Sequence, residues 1–288
     1  MTARLRQAAC SPRPGPPRVP DARLEKGAIH RMNMARTSAA VADSTNAAGG
    51  RSPKDYLRRI RVLARQAAGS EPVVRQDVTL PVERHGDALA DWCILSDSLD
   101  RESVVVDVGL GENVSFAESL IRKYGCLVRG LDPTPKAIEY TRQLGNERLH
   151  LFEVALGAEA GTREFFLPAN PDHVSGSLKA ENHLAPTGIV VDVVDVDGLF
   201  ELLGCERIDV LKLDIEGAEY DVIESAPFRR RAGDITQLCV EFHHRWPGFG
   251  KEYTDRAVHT LRQLGFRCAW RSDTTNSEFL FVREHTSR

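Results

Sequence analysis

Short apolar runs alternate with amphipathic segments along most of the chain. The apolar runs are rich in valine, leucine and isoleucine, which is typical of strands covered on both faces of a parallel sheet. The segments between them repeat apolar positions at helical spacing, so strands and helices are predicted to alternate. The predicted strands lie at 104–108, 126–131, 149–154, 189–196, 208–213 and 236–244. The predicted helices lie at 53–69, 113–124, 136–144, 197–203 and 251–264.

The last two predicted strands, 266–270 and 278–282, are joined by a short turn, so they must be antiparallel. Together with the alternation before them, they predict an α/β fold. The expected architecture is a Rossmann-like doubly wound sheet that is mostly parallel, with an antiparallel C-terminal strand. Two further strands are predicted, one at 76–82 and one at 162–167, the second as a hairpin partner of the strand at 149–154.

Three regions are predicted along the chain. Residues 1–50 are expected to be a disordered extension, because the proline-rich run at 11–20 can form neither a helix nor a central strand. The extension is arginine-rich and poor in acidic residues, like a transit peptide, but a start codon placed too early explains it more simply. Residues 51–100 are expected to cap the site, and residues 101–288 to form the main domain.

Composition narrows the possible functions. The formal net charge of −3 over 288 residues gives no strong global attraction to nucleic acid, and no nucleic-acid partner is expected. No apolar run reaches the length of a membrane span. The six cysteines are scattered without a C-x-x-C pair, which is typical of small core residues in a reducing compartment. We therefore expect a cytoplasmic protein.

The strand at 104–108 runs into a glycine turn at the start of a helix. Gly109 and Gly111 permit a tight turn and the close approach of a ligand, which favours a nucleotide-type site. The third glycine of the dinucleotide fingerprint falls on Val114, which counts against NAD or FAD. Asp107, near the end of the strand, suits a ligand with an ammonium group, such as S-adenosylmethionine (SAM). The alternative is a glycine turn without a ligand.

Other predicted cofactor contacts follow the next two strands. Asp132 lies about twenty residues beyond the glycine turn, where an acidic residue accepts hydrogen bonds from the ribose hydroxyls of a nucleoside. The alternative is that Asp132 only begins a turn. Val154 and Ala155 follow the third strand and are predicted to lie beside the adenine. The loop at 170–188 is expected to be a lid or substrate loop, in which His173, Ser175 and Ser177 stabilise the loop.

A second group of polar residues follows the later strands. Asp214 ends the strand at 208–213, at the sheet edge where ligands bind. Glu216 and Glu219 fall near the first turn of the next helix, where the helix dipole favours them without any further role, so they rank below Asp214. Glu241 and His243 alternate on the next predicted strand and are predicted to share one face.

These motifs together resemble the FkbM family of SAM-dependent methyltransferases. The resemblance runs from about residue 85 to 281 and is carried by the sequences at 107–116, 131–135, 175–177, 211–219 and 240–243. Within it, Lys-Leu-Asp-Ile-Glu-Gly-Ala-Glu at 212–219 is the most distinctive stretch. The turn departs from the common Gly-x-Gly-x-Gly, since Asn113 replaces the third glycine, and it is similar to the Gly-x-Gly-Glu-Asp form of one branch, which adds Glu112 to the expected cofactor contacts.

The resemblance implies transfer of a methyl group from SAM to a hydroxyl on a sugar, polyketide or other small metabolite. His243 is the first choice for the base because its ordinary pKa is near neutrality, and Asp214 is the second. Asp214 could instead hold the ammonium of SAM, as could Asp107 through a water. Alternatively, Asp214, Glu241 and His243 could bind a divalent metal, or Glu241 and His243 could merely pair.

Two other classes of function share this layout. One is a catalytically inactive binding protein on the same fold. The other is an NAD(P)-dependent oxidoreductase, which is disfavoured by Val114 and by the lack of a Tyr-x-x-x-Lys pair. The acceptor, the need for a metal and the oligomeric state are left open by the sequence.

Overall fold

The computed structural model describes residues 52–88, 90–168, 176–179 and 188–283. The predicted extension at 1–50 lies outside these residues, as do His173 and Ser175. The helices are α1 (Pro53–Ala67), α2 (Ser115–Tyr124), α3 (Pro135–Leu144), α4 (Val196–Leu203), α5 (Glu219–Glu224), α6 (Ala226–Arg231) and α7 (Lys251–Gln263). None of the helices described is both long enough and apolar enough to cross a membrane.

The strands follow the predicted order closely. They are β1 (Val82–His85), β2 (Trp92–Leu95), β3 (Val104–Val108), β4 (Leu127–Leu131), β5 (Leu149–Phe152), β6 (Ala155–Leu156), β7 (Gly161–Phe165), β8 (Ile189–Val194), β9 (Ile208–Leu213), β10 (Ile235–Glu241), β11 (Phe266–Arg271) and β12 (Glu278–Arg283).

A seven-stranded sheet forms the centre of the fold, in the order β11-β12-β10-β9-β3-β4-β5. The five strands from β10 to β5 run parallel, and β12 is inserted antiparallel between β10 and β11. The strand order reverses beside β3, so β4 and β9 flank it. This confirms the predicted Rossmann-like doubly wound sheet with its antiparallel C-terminal strand.

Successive residues of the central strands pack into different cores. Val106 and Leu211 belong to the core covered by helices α4 to α7, whereas Val105 and Val210 belong to the core covered by α2. Because side chains alternate along a strand, a continuous apolar run of this kind can fill both layers. The valine-rich strand β3 therefore carries helices on both faces and places its C-terminal end at an open edge.

Two of the predicted strands differ in the structure. The segment 76–81 is not a strand, because Pro81 lacks an amide donor and Asp77 instead bonds to the backbone of Cys268. The strand β7 pairs antiparallel with β8 rather than with β5, and together with β6 they form a separate three-stranded sheet. The small sheet forms because the chain leaves the central sheet after β5.

The lead-in consists of α1 and the antiparallel pair β1 and β2. The apolar residues Tyr56, Leu57, Ile60 and Leu63 of α1 are exposed, and Val62 is the buried residue of this helix. Behind α1, Glu71 is buried and accepts hydrogen bonds from His244 at 2.8 Å and from Arg245 at 2.6 Å. These bonds fix the lead-in to the loop that follows β10.

Candidate active site

A cleft opens at the edge of the central sheet where β3, β4 and β9 end. It holds about 730 Å³ of open space. Open parallel sheets bind ligands at this edge, beside the point where the strand order reverses. The lining comes from 108–113, 131–134, 155–156 and 214–216, together with Phe165, Gly176, Leu178 and Ala218.

The glycine turn joins three strand ends at the floor of this cleft. Gly109 has a φ of +77° and donates a hydrogen bond to the carbonyl of Leu131 at 3.0 Å. A Cβ on Gly109 would lie 1.8 Å from the carbonyl oxygen of Asp214, so a larger residue cannot occupy this position without movement. Gly111 and Glu112 continue the lining, as the sequence predicts for residues facing a ligand.

Asp132 lines the cleft and also holds the turn after β4. Its Oδ2 accepts from the Gly111 amide at 2.9 Å, and its Oδ1 accepts from the amide and hydroxyl of Thr134 at 2.8 and 2.5 Å. Burial raises the pKa of Asp132, and these hydrogen bonds oppose the rise. The turn that the sequence suggested as an alternative is therefore present, and the same carboxylate lines the cleft.

The two residues expected beside an adenine, Val154 and Ala155, have different surroundings in the structure. Ala155 and Leu156 line the cleft, whereas the partly buried Val154 packs against the core beneath it. Phe165 and Leu178 also line this end of the cleft. Sequence reasoning missed both, because only the pairing of β7 with β8 carries Phe165 to this position.

Asp107 does not line the cleft. It is 1% exposed, and its Oδ1 lies 2.8 Å from Nζ of Lys212, which occupies the neighbouring position on β9. Burial of Lys212 opposes its charge, but the carboxylate of Asp107 outweighs burial and raises the pKa of the ammonium. Asp107 thus forms an ion pair within the sheet and lies outside the cleft lining, and its expected contact with a cofactor stays a prediction.

A second, smaller cavity lies on the other side of the glycine turn. It is lined by 90–92, 109–110, Asp107, Asn113, Phe116, Lys212, Asp214, Glu241 and Glu278. Four of its residues, Gly109, Leu110, Asn113 and Asp214, also line the cleft. Of these four, only Asp214 has an ionisable side chain, so it is the group placed to act on molecules in both spaces.

Carboxylates crowd the second cavity. Glu241 and Glu278 lie opposite each other on β10 and β12, and both face the cavity that Asp214 lines. Burial and the neighbouring charge of Asp214 raise the pKa of Glu241 well above its ordinary value. Burial also raises the pKa of Asp214, although the ammonium of Lys212 opposes the rise. Both groups therefore hold a proton more readily than carboxylates in water.

His243 lies just beyond β10 and is held between two glutamates. Its Nδ1 lies 3.0 Å from Oε1 of Glu219, and its Nε2 lies 3.0 Å from Oε2 of Glu216 and 4.0 Å from Oδ1 of Asp214. Burial disfavours the imidazolium, but the two glutamates outweigh it and raise the pKa of His243 well above its ordinary value. Both ring nitrogens of His243 are therefore engaged by glutamate oxygens.

The fully buried Glu219 has a role that its place in the first turn of α5 does not reveal. Besides pairing with His243, it accepts hydrogen bonds from the amide of His243 at 3.1 Å and from the amide of Gly217 at 2.8 Å. The ranking of Glu219 as a residue favoured only by the helix dipole is therefore wrong.

Glu216 has a left-handed backbone, with a φ of +55°. Its carbonyl accepts a hydrogen bond from the hydroxyl of Ser177 at 2.7 Å, which connects the loop before β8 to the residues after β9. A non-glycine residue in this conformation costs about 1 to 2 kcal/mol and persists where its surroundings hold it. The strain directs the Glu216 side chain toward His243.

The residues suited to a metal are not the expected set. Ligand atoms of Asp214, Glu216 and His243 all lie within 4.8 Å of one another. Glu241 was expected in this group, but Glu216 takes its place, because β10 ends at Glu241 and His243, beyond the strand, lies against Glu216.

Comparison with known proteins agrees with this architecture. The profile of the family described as Methyltransferase FkbM domain matches residues 105–268, which is more than half of the chain. The human probable methyltransferase-like protein 24 is 25% identical over 159 residues, covering 55% of this chain and 37% of that protein. The 2-O-methyltransferase NoeI of Sinorhizobium fredii is 29% identical over 138 residues, covering 42% of this chain and 56% of that protein.

The chain thus matches only about a third to a half of the length of these relatives. Among solved structures, the Methanococcus jannaschii fibrillarin pre-rRNA processing protein matches with a TM-score of 0.40 and 13% identity, covering 65% of this chain and 69% of that one. The matched family region contains the glycine turn, Asp132, Asp214 and His243. The chain belongs to the FkbM methyltransferase domain family.

Proposed function

We propose that this protein transfers the methyl group of SAM to a hydroxyl group of a small molecule. The observation that carries the proposal is the position of Asp214, which lines both the cleft and the adjoining carboxylate-rich cavity. Family membership supports methyl transfer, and the relative named as a 2-O-methyltransferase supports oxygen as the acceptor atom.

The residues of the cleft fit SAM. Asp132 is a buried carboxylate at the end of β4 with lone pairs suited to the ribose hydroxyls, and Gly109, Gly111 and Glu112 leave the backbone accessible. Ala155, Leu156 and Phe165 give an apolar surface for the adenine. The methionine end then points toward Asp214.

SAM supplies a methyl group on a sulfonium, so the acceptor oxygen forms a C–O bond as the C–S bond breaks, and the bonding electrons remain on sulfur as a thioether. Collinear placement of oxygen, methyl carbon and sulfur supplies much of the acceleration. The hydroxyl proton must pass to a base. Both ring nitrogens of His243 already lie 3.0 Å from glutamate oxygens, so we assign the base to the carboxylates of the second cavity, Asp214 or Glu241, and a positioning role to His243.

We also propose a cytoplasmic location and an acceptor selected by the lead-in. The five cysteines in the described part of the chain are free thiols, which supports the first of these proposals. Lead-in residues Ala90, Asp91 and Trp92 line the second cavity, which supports their proposed role in selecting a small-molecule acceptor.

Calorimetric titration of SAM into the full chain tests the proposal. We expect micromolar binding, and we expect Asp132→Ala to weaken it at least tenfold, because the ribose loses its carboxylate. Glu139→Ala is the control, since Glu139 is exposed on α3 and bonds only to its helical neighbours Arg142 and Gln143.

Tighter binding of NADH than of SAM would favour the oxidoreductase instead. Binding of neither molecule to a folded sample would overturn the proposal in favour of a binding protein. If SAM binds, incubation with labelled SAM and hydroxyl-bearing metabolites, with Asp214→Asn as the inactive reference, would then identify the acceptor.

A further inference from the structure

The carboxylates around Asp214 outnumber the cations that face them. Asp214, Glu216, Glu219, Glu241 and Glu278 converge at the ends of β9, β10 and β12, while the basic side chains found beside them in the described part of the chain are Lys212 and His243. Lys212 is already committed to Asp107, since its Nζ lies 2.8 Å from that carboxylate and 3.6 Å from Asp214. The region is therefore short of positive charge.

Glu241 shows this deficit most directly. Its partly buried carboxylate lines the second cavity, and none of the residues that the structure describes donates a hydrogen bond to it. The cavity also contains the carboxylates of Asp214 and Glu278 and the ammonium of Lys212, which pairs with Asp107 at 2.8 Å. A bound cation or hydrogen-bond donor would give the Glu241 carboxylate a partner.

The geometry points to a divalent-cation site formed by Asp214, Glu216 and His243, beside Glu241. Carboxylate oxygens and an imidazole nitrogen are together suited to Mn²⁺, Fe²⁺ or Zn²⁺. The three ligand atoms lie within 4.8 Å of one another, so they surround one point that an ion could occupy. The ligands follow two adjacent strands, and of the three Asp214 lines both cavities and Glu216 lines the cleft.

The surroundings of His243 match those of a metal ligand. A ligating histidine usually donates its second ring nitrogen to a carboxylate, which fixes the tautomer and the ring orientation. Here Nδ1 pairs with the fully buried Glu219 at 3.0 Å, so Nε2 faces Asp214 and Glu216. Nε2 lies 3.0 Å from Oε2 of Glu216 and 4.0 Å from Oδ1 of Asp214, so it faces the same point as the two carboxylates.

This inference rests on the proposed function for its chemical consequence. A cation held beside Asp214 lowers the pKa of an acceptor hydroxyl and so eases its attack on the sulfonium methyl. With Asp214 engaged as a ligand, Glu241 is the carboxylate that takes the hydroxyl proton. The assignment of the base thus narrows from two residues to one.

The test is a titration of Mn²⁺ into the full chain. Binding is measured as the loss of the free-ion signal in electron paramagnetic resonance. After removal of metals with a chelator, we expect one site, weakened at least tenfold by Asp214→Asn, by Glu216→Gln and by His243→Gln. Glu139→Gln makes the same change of charge on exposed α3 and is expected to leave the site intact. Equal binding by all four variants, or no binding by the unmodified chain, overturns the site.

A second measurement uses side chains that do not ligate the ion. The ring of Trp246 lies 4.6 Å from the ring of His243, so bound Mn²⁺ is expected to quench its fluorescence. Trp92 also lies near Asp214, because both line the second cavity, so the comparison is made in a Trp92→Phe background. In that background the quenching should disappear on adding Trp246→Phe and persist on adding Trp270→Phe, which keeps Trp246. Persistence of the quenching in the Trp92→Phe, Trp246→Phe variant overturns the location, even if a ligand variant fails to fold.

SAM titration on the same samples separates this proposal from the proposed function. Binding of SAM without Mn²⁺ binding rejects the cation site and leaves the methyltransferase proposal standing. Binding of Mn²⁺ at these residues without SAM supports the cation site and rejects the methyltransferase proposal.

Discussion

Lys212 and Asp107 form an ion pair of 2.8 Å between neighbouring positions of β9 and β3, in the interior of the central sheet. The ammonium also lies 5.1 Å from the centre of the Trp92 ring and 3.6 Å from the Asp214 carboxylate. Both charges of the pair are almost completely buried. The pair thus links the structural core to the residue that joins the two cavities.

Lys212→Met is expected to destabilise the fold strongly, because it leaves the buried Asp107 charge without a partner. Removing one member of a buried pair costs about 3 to 5 kcal/mol in the free energy of unfolding. Adding Asp107→Asn should recover part of this loss. Urea denaturation measures both effects, with Arg207→Met as the control, since the guanidinium of Arg207 is exposed and water screens its pair with Asp209, which is expected to contribute about 1 kcal/mol or less. Equal losses for Lys212→Met and Arg207→Met would contradict the prediction.

Gly109→Ala is expected to be far more damaging than Gly145→Ala, although both glycines have left-handed backbones. The new Cβ at position 109 would lie 1.8 Å from the Asp214 carbonyl, whereas at position 145 no atom lies within 4 Å. We expect a loss above about 3 kcal/mol for the first change and about 1 kcal/mol for the second. Thermal unfolding of the two variants makes the comparison, and similar melting temperatures would refute the role of Gly109.

Glu71 makes stability depend on pH. Burial alone would raise the pKa of Glu71, but hydrogen bonds from Arg245, His244 and Asn276 lower it from 4.5 to about 2. A carboxyl with a depressed folded-state pKa contributes its stability above the unfolded value, and that contribution is lost as the pH falls from 4.5 through about 2. Below about pH 2 it is absent.

The advantage of the unmodified chain over Glu71→Gln is therefore expected to shrink by about 2 kcal/mol between about pH 6 and about pH 3. Burial lowers the pKa of His244, which acts in the same direction, because its protonation favours the unfolded chain. Urea titrations at each pH measure the difference. Glu102→Gln, at an exposed position, should show a constant difference over the range, and a constant difference for Glu71→Gln would reject the assignment.

Ser177→Ala is expected to weaken SAM binding about fivefold, because the hydroxyl holds the carbonyl of the strained Glu216 and such a hydrogen bond contributes about 1 kcal/mol. Calorimetry on the folded variant measures the change in Kd. Ser98→Ala, which removes an exposed hydroxyl bonded to the Leu95 carbonyl, is the control. Unchanged affinity in Ser177→Ala would show that this contact does not influence the cleft.

The central sheet could be predicted from the sequence because each strand has a local pattern of residue types that is typical of a strand. The valine run of β3, the glycine turn and the antiparallel closing pair each follow from local residue types, and no distant contact is needed to interpret them. The sequence analysis did not predict the pairing of β7 with β8. A long loop separates these two strands along the chain, and their pairing depends on where the chain leaves the central sheet.

The sequence indicates where the candidate site residues lie along the strands, but it does not show which partners their side chains contact. Asp107 and Asp214 each lie near the C-terminal end of a strand, but the sequence cannot show that Lys212 holds the first inside the sheet. Likewise, Glu219 lies in a helical first turn where acidic residues are common for a simple reason. The contact between Glu219 and His243 forms only when α5 packs against the end of β10. The spacing of residues in the sequence does not predict this packing.

The insertion of β12 between β10 and β11 has a consequence for biosynthesis. The strands β10 and β11 are made first, but they contact each other only through residues 278–283, which leave the ribosome later. The parallel half from β9 to β5 can assemble while translation proceeds, since its strands pair directly with one another. The growing chain therefore carries β10 with one unpaired edge until β12 emerges, and shielding of that edge by chaperones is expected to matter during this interval.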